Sequence, residues 1–216
     1  MHSSSDRPAI LAPASAPTRR SVARQRTRQK VLAAARRLFS EAGYEGATIR
    51  DIAKSAGMST GAVFANFADK SDLFIQIMAE DGRASFAAMQ AAADQGGDIE
   101  TSLVGALMAG YAFYRHQPQL AHAALSVAWT QAGVGLRSLD RVGELRSLFA
   151  AELLAAERRG ELCAGDGLCL RSEMLCDLYL ANFQHVTSEG ADFVALEVRV
   201  RGQVQILLQG SRSAAA

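Results

Sequence analysis

Apolar positions recur with a helical period along almost the whole chain, and no stretch alternates as a strand would. From about Val22 the pattern turns helical, with Val31, Ala35, Leu38, Phe39 and Ala42 forming one stripe of a first helix. Gly43 is the left-handed residue expected just past its end. Thr48 opens a short helix with Asp51 three residues on as capping-box partner, and Ile49, Ile52, Ala53 and Ala56 face inward. Gly57-Met58 makes a turn, Ser59 is placed to cap a third helix running to Phe67, and Asp69 or Ser71 restarts the chain as a longer fourth. Three helices with a tight Gly-containing turn between the second and third describe a helix-turn-helix unit.

Beyond it, Phe74, Met78, Gly82, Phe86, Met89 and Ala93 make one stripe, broken by Gly96-Gly97. A fifth helix is expected from about Ile99 to His116, with Leu103, Leu107, Tyr111 and Tyr114 inward. A sixth starts at Pro118 and turns His122, Leu125 and Trp129 inward, before Gly133 and Gly135. A seventh runs from about Ser138 to Arg159, ending at Gly160; after the loop Glu161–Gly167 an eighth reaches about Ser188, and a ninth spans Asp192 to Gln209. In the eighth, Met174, Leu175, Cys176, Leu178, Tyr179, Leu180, Phe183 and Val186 cover nearly the whole circumference, so it must be buried on all sides. A second subunit is the economical cover. The expected homodimer is a four-helix contact of the eighth and ninth helices, centred on Leu175, Leu178, Tyr179, Phe183, Val200, Val204, Leu207 and Leu208, with Val194, Val198 and Ile206 on the matching surface. The expected fold is thus all-α with about nine helices: residues 1–18 a disordered tail, 19–70 a three-helix helix-turn-helix domain, and 71–216 a helical domain for dimerisation and ligand binding.

Composition narrows the class. The 216 residues are 49% hydrophobic and carry a net charge of only +1, but that charge is segregated. Residues 19–70 hold eleven bases against four acids, a local +7, whereas residues 71–216 sum to −6. A basic segment that folds as a helix-turn-helix points to a polyanion as partner. No run is apolar enough for a bilayer span, and Ala9-Ile10-Leu11-Ala12 is too short for a signal core, so no membrane partner is expected. Three Cys without a CxxC imply neither a disulfide framework nor a zinc site; no metal or cofactor is expected, and a reducing cytoplasm is the natural compartment.

The stretch from Ala47 to Phe67, ATIRDIAKSAGMSTGAVFANF, closed by Asp69-Lys70-Ser71-Asp72-Leu73, resembles the DNA-binding domain of the tetracycline-repressor (TetR) family. The likeness covers about fifty residues, from the first helix to the start of the fourth; beyond about residue 80 only helical architecture and length agree. It implies a double-stranded DNA operator as partner, read by the third helix through its amino-terminal residues. Ser59 caps that helix, and Thr60, Gly61 and Ala62 are small enough for close approach, with methyls that can touch thymine. Arg50 matches a position that reaches a base or phosphate, Thr48 stands where helix amides attract phosphate, and Lys70 matches a lysine that holds the backbone. Arg19, Arg20, Arg24 and Arg28 would add phosphate contacts or a minor-groove arm. Two departures stand out. Phe64 replaces the family's usual Tyr, so a phosphate-binding hydroxyl is absent, and Asn66 replaces a frequent His or Tyr while keeping a donor for phosphate or adenine.

The resemblance also implies a small-molecule effector bound in the larger domain, with Met108, Tyr111, Tyr114, His122, Trp129, Phe149, Phe183 and His185 as candidate lining, and repression by occlusion of a palindromic operator. Two other regulators fit the same residues. One is thiol-responsive, through Cys163 or Cys169 beside the loop before the eighth helix; the other binds DNA and senses nothing. An enzyme is not expected: His116, His122 and His185, and the three Cys including Cys176, belong to no local catalytic motif, and no Gly-rich phosphate loop or HExxH occurs.

Overall fold

The computed structural model describes residues 18–115, 117–118, 120–121, 141–163, 165, 167–188 and 190–209. Thr18 opens α1 (Arg19–Gly46), its hydroxyl oxygen accepting from the Ser21 amide at 3.2 Å. Among the described residues before Val31 none is buried, and 18–26 are exposed throughout, so the first two turns of α1 project beyond the core. The helix then acquires its apolar stripe, and Val31, Ala35 and Phe39 are buried. Gly43 does not end it in the left-handed well; its φ of 72° and ψ of 173° kink the chain, and one further turn carries Tyr44 against Phe39 and Phe74. That region of backbone space is essentially reserved for glycine.

Short helices α2 (Ile49–Ser55) and α3 (Thr60–Phe64) and the long α4 (Lys70–Ala93) complete the head, each capped by a side chain: Thr48, Ser59 and Asp69. Ile52, Val63, Phe67, Leu73, Phe74 and Ile77 join the α1 stripe in one core, into which Leu120 also inserts. α4 leaves this core after Met78 and enters a second one at Met89. The boundary expected at residue 70 is therefore no break in packing, because one helix belongs to both lobes. Between the two cores Arg36 of α1 pairs with the buried Asp81 carboxylate of α4 and, at 3.4 Å, with Glu80.

The second lobe contains α5 (Ile99–Tyr114), α6 (Arg141–Arg158), α7 (Leu168–Ala181), α8 (Phe183–Thr187) and α9 (Phe193–Leu208). α4 lies along α5, α6 along α7, and α9 against α5. Gly110 lets α5 approach closely, since a Cβ there would sit 2.8 Å from the Tyr179 ring and 2.9 Å from the Met89 sulfur. Beside it the Tyr111 and Tyr179 rings stack at 5.1 Å, and the Tyr111 hydroxyl donates to the Tyr179 carbonyl at 3.1 Å. The eighth helix expected from sequence is two helices. Asn182 interrupts it, its side-chain amide donating to Leu178 O and Gln203 Oε1 while its oxygen accepts from Arg199 Nε.

The residues expected to face a second subunit point inward. Leu175, Tyr179, Phe183, Val200, Val204 and Leu208 are buried within the protomer, and Leu178 and Leu207 pack against the same core. Their cover comes from α5 and α6 of the same chain, which a circumferential apolar pattern cannot distinguish from a partner. The outward apolar residues are Leu170 and Met174 on α7 and Val194, Val198 and Ile206 on α9, exposed by 61, 46, 75, 70 and 68%. Along α9 these stand at steps of four with Gly202 between, so they form one face.

The effector residues are likewise core in large part. Tyr111, Phe149 and Phe183 are buried, Met108 and Tyr114 pack against the same core, and His185 is half-buried, its Nε2 finding no hydrogen-bond partner among the described residues. His122 and Trp129, with His116, Leu125, Gly133, Gly135 and residues 1–17 of the expected 1–18 tail, lie outside the described residues, whereas Thr18 caps α1. No helix among the described residues is long and apolar enough to cross a membrane, and no cluster of three metal-ligating side chains occurs among them.

Candidate nucleic-acid interface

The reading geometry is set by backbone capping. At the start of α2 the Thr48 hydroxyl oxygen accepts from the Asp51 amide at 3.2 Å and its proton goes to Asp51 Oδ2 at 2.6 Å. At the end, Gly57 takes φ 69°, Met58 N donates to Ala53 O and Gly57 N to Lys54 O, a doubly bonded turn that only a left-handed residue closes easily. Ser59 then caps α3, accepting from the Ala62 amide at 3.2 Å. These local bonds fix the angle between α2 and α3, while Ile52, Ala53 and Val63 anchor both from beneath.

What remains outward is small, polar or basic. Thr60 and Gly61 are exposed and Ala62 is half-buried, so the first turn of α3 offers a nearly bare backbone. A Cβ at Gly61 would meet only Ser59 Oγ, at 3.8 Å, so its lack of a side chain is not required by the protein's own packing. Between α2 and α3 lies an open cleft of about 710 Å³ lined by Thr48, Arg50, Asp51, Ala53, Lys54, Met58 and Thr60. Arg50 and Lys54, four residues apart on α2, are both exposed and give the cleft its positive charge. Phe64, at the last residue of α3, is 55% exposed.

Of the residues expected at DNA, Thr48, Arg50 and Thr60 line one cleft, while Ser59, Gly61, Ala62 and Phe64 belong to α3 or its cap. Arg28, Asn66 and Lys70 are engaged within the protein. Arg28 donates to the Asn66 carbonyl at 3.1 Å and lies 4.6 Å from the Phe67 ring centroid, while Asn66 Nδ2 donates to Ala62 O at 2.9 Å. Both brace the carboxyl end of α3. Lys70 donates to Tyr44 O at 2.9 Å, stands 4.3 Å from that ring's centroid and 3.9 Å from Glu45, tying α4 to the kink of α1. Arg24 is exposed, with Arg20 one turn before it on the projecting part of α1; these arginines, Arg19 included, lie on a helix and not on an extended arm. At Thr48 the start of α2 already holds the Asp51 carboxylate, which competes with any phosphate for the helix amides. Lys54 and Met58 were missed from sequence. The spacing from Arg50 to Lys54 was the available signal, for it places two bases on one helix face.

Against known proteins, the family profile described as bacterial regulatory proteins, tetR family, matches residues 31–77. The repressor BepR of Brucella suis is 35% identical over 150 residues, 64% of this chain and 69% of that protein. The repressor AcnR of Corynebacterium glutamicum is 49% identical over 55 residues, 26% of this chain and only 29% of its own length. Among solved structures, FadR of Bacillus subtilis in complex with stearoyl-CoA superposes with a TM-score of 0.67 at 20% identity, covering 84% of this chain and 98% of that one. The profile match falls on the head, and the structural match extends over both lobes.

Proposed function

The chain belongs to the tetR family of bacterial regulatory proteins, and on that premise we propose that it is a DNA-binding transcriptional regulator. In this reading it is a homodimer whose two α3 helices enter the major groove of a palindromic operator. It represses by occupying that operator and is released by a small-molecule effector. The observation that carries the reading is the amino-terminal turn of α3: Thr60 and Gly61 stand exposed beside a basic cleft, on an element capped by Ser59 and anchored by the buried Val63. Rigid presentation of small side chains suits approach to base edges.

Thr60 and Ala62 bring methyls and a hydroxyl to the bases, Arg50 a bidentate donor, and Lys54 and Arg24 phosphate contacts. Arg28, Asn66 and Lys70 act at one remove, by holding α3 and α4 in place. The partner surface for a second copy is the exposed apolar side chains of Leu170, Met174, Val194, Val198 and Ile206, which nothing in the described protomer covers. We place the effector in the second lobe, beside the packed rings of Tyr111, Tyr114 and Phe183. FadR, of the same architecture, was crystallised with stearoyl-CoA, which favours an effector with an apolar portion.

Selection from random duplexes tests the reading. A palindrome with half-sites one helical turn apart, about 34 Å, is the expected product. If the dimer neutralises about eight phosphates, log K falls against log salt with a slope near −7. Enrichment of no sequence, or a flat salt dependence, would overturn it.

A further inference from the structure

We infer that Phe64 reads the 5-methyl group of a thymine in each half-site, an inference that rests on the operator reading above. Phe64 is the last residue of α3 and is 55% exposed, whereas Val63 and Phe67 on either side of it are buried and complete the head core. The core is closed without the phenyl ring. It stands four residues after Thr60, so the two share one face of α3, flanked by the exposed Gly61 and Ala65.

That face belongs to the +7 segment of the chain, and its first residue, Thr60, lines the cleft together with Arg50 and Lys54. The partner is thus a polyanion, yet a phenyl ring has no donor or acceptor for a phosphate or a polar base edge. In the major groove the one apolar group that marks a base is the methyl of thymine. The backbone on either side of it is braced: Asn66 donates back to Ala62 O, and Arg28 donates to the Asn66 carbonyl from α1. It is separate from the apolar face of the second lobe, whose exposed members are on α7 and α9.

The test uses the selected operator with each thymine replaced in turn by deoxyuridine, symmetrically in both half-sites, which removes the methyl and preserves pairing. Affinities of the full-length protein, Phe64→Ala and Phe64→Gln are compared by fluorescence anisotropy. At one thymine per half-site, loss of the methyl weakens the unsubstituted protein about fourfold per methyl, the worth of one buried carbon. At that position both variants are indifferent to the replacement, and either suffices for the comparison. If deoxyuridine is neutral everywhere, or weakens the variants as much as the parent, the inference is overturned while the operator reading stands. If no duplex is enriched at all, both fall together.

Discussion

Gly61→Ala separates a residue needed by the fold from one needed by the partner. The added Cβ would lie 3.8 Å from Ser59 Oγ, an ordinary van der Waals contact, and nothing else is near. Within the protein the change replaces the poorest common helix former with the best, a gain of up to about 1 kcal/mol. The melting temperature should therefore hold or rise by about 2–4 °C for a chain of this size. On the operator the same methyl enters the space where backbone and base edges meet. Overpacking a close contact costs about 1–3 kcal/mol, and each of two heads bears it. That amounts to roughly 5–150-fold in affinity for each head. Differential scanning fluorimetry and anisotropy titration on the selected duplex read the two effects from one sample. Affinity equal to that of the parent protein would place residue 61 away from the bases and refute the docking of α3 proposed above.

Gly110→Ala should show the opposite balance: its Cβ would lie 2.8 Å from the Tyr179 ring, so chemical denaturation should show a loss of about 1–3 kcal/mol. Arg36→Met removes the cationic partner of the buried Asp81 carboxylate and should cost up to about 3 kcal/mol, read as a lowered midpoint in urea. Val198→Asp puts a charge on the outward face of α9 and should yield monomers in analytical ultracentrifugation at micromolar concentration; an unchanged dimer would exclude that face. Iodoacetamide at pH 8 should label the exposed Cys163 and Cys169 quickly and Cys176 slowly, since burial pushes the Cys176 thiol up to about 11. The buried thiol favours its protonated form, so its contribution to stability is present below pH 9 and is lost as pH rises toward 11.

Local chemistry made the head legible. Thr48, Ser59 and Asp69 each cap the helix that follows because the donor lies three residues away, and Gly57 turns because a positive φ is needed there. The caps fix how α2 and α3 meet, and the cleft that brings Arg50 and Thr60 together lies between them; the sequence marks the two residues only through the family resemblance. Partners distant along the chain left no such mark. Nothing near Lys70 shows that the carbonyl of Tyr44 receives its ammonium group, nor that Arg28 reaches Asn66 across 38 residues. In α7 and α9 apolar residues occur on both faces, so composition could not tell which side meets α5 and which faces outward. Burial assigns Val200, Val204 and Leu208 inward and Val194, Val198 and Ile206 outward. The break at Asn182 leaves no local mark either: its side chain bonds Gln203 and Arg199 on another helix.

Because one 24-residue helix is embedded in both lobes, α4 can serve as a lever. At the helical rise its length is about 36 Å, so a tilt of about 5° around its midpoint would displace the upper end by roughly 1.5 Å. In a symmetric pair two such ends would move in opposite senses, changing the span between the reading heads by about 3 Å, close to the 3.4 Å step of one base pair. Sub-ångström repacking around Met89 and Gly110 would thus translate into a misfit of nearly one step along the duplex, without either lobe changing its own fold.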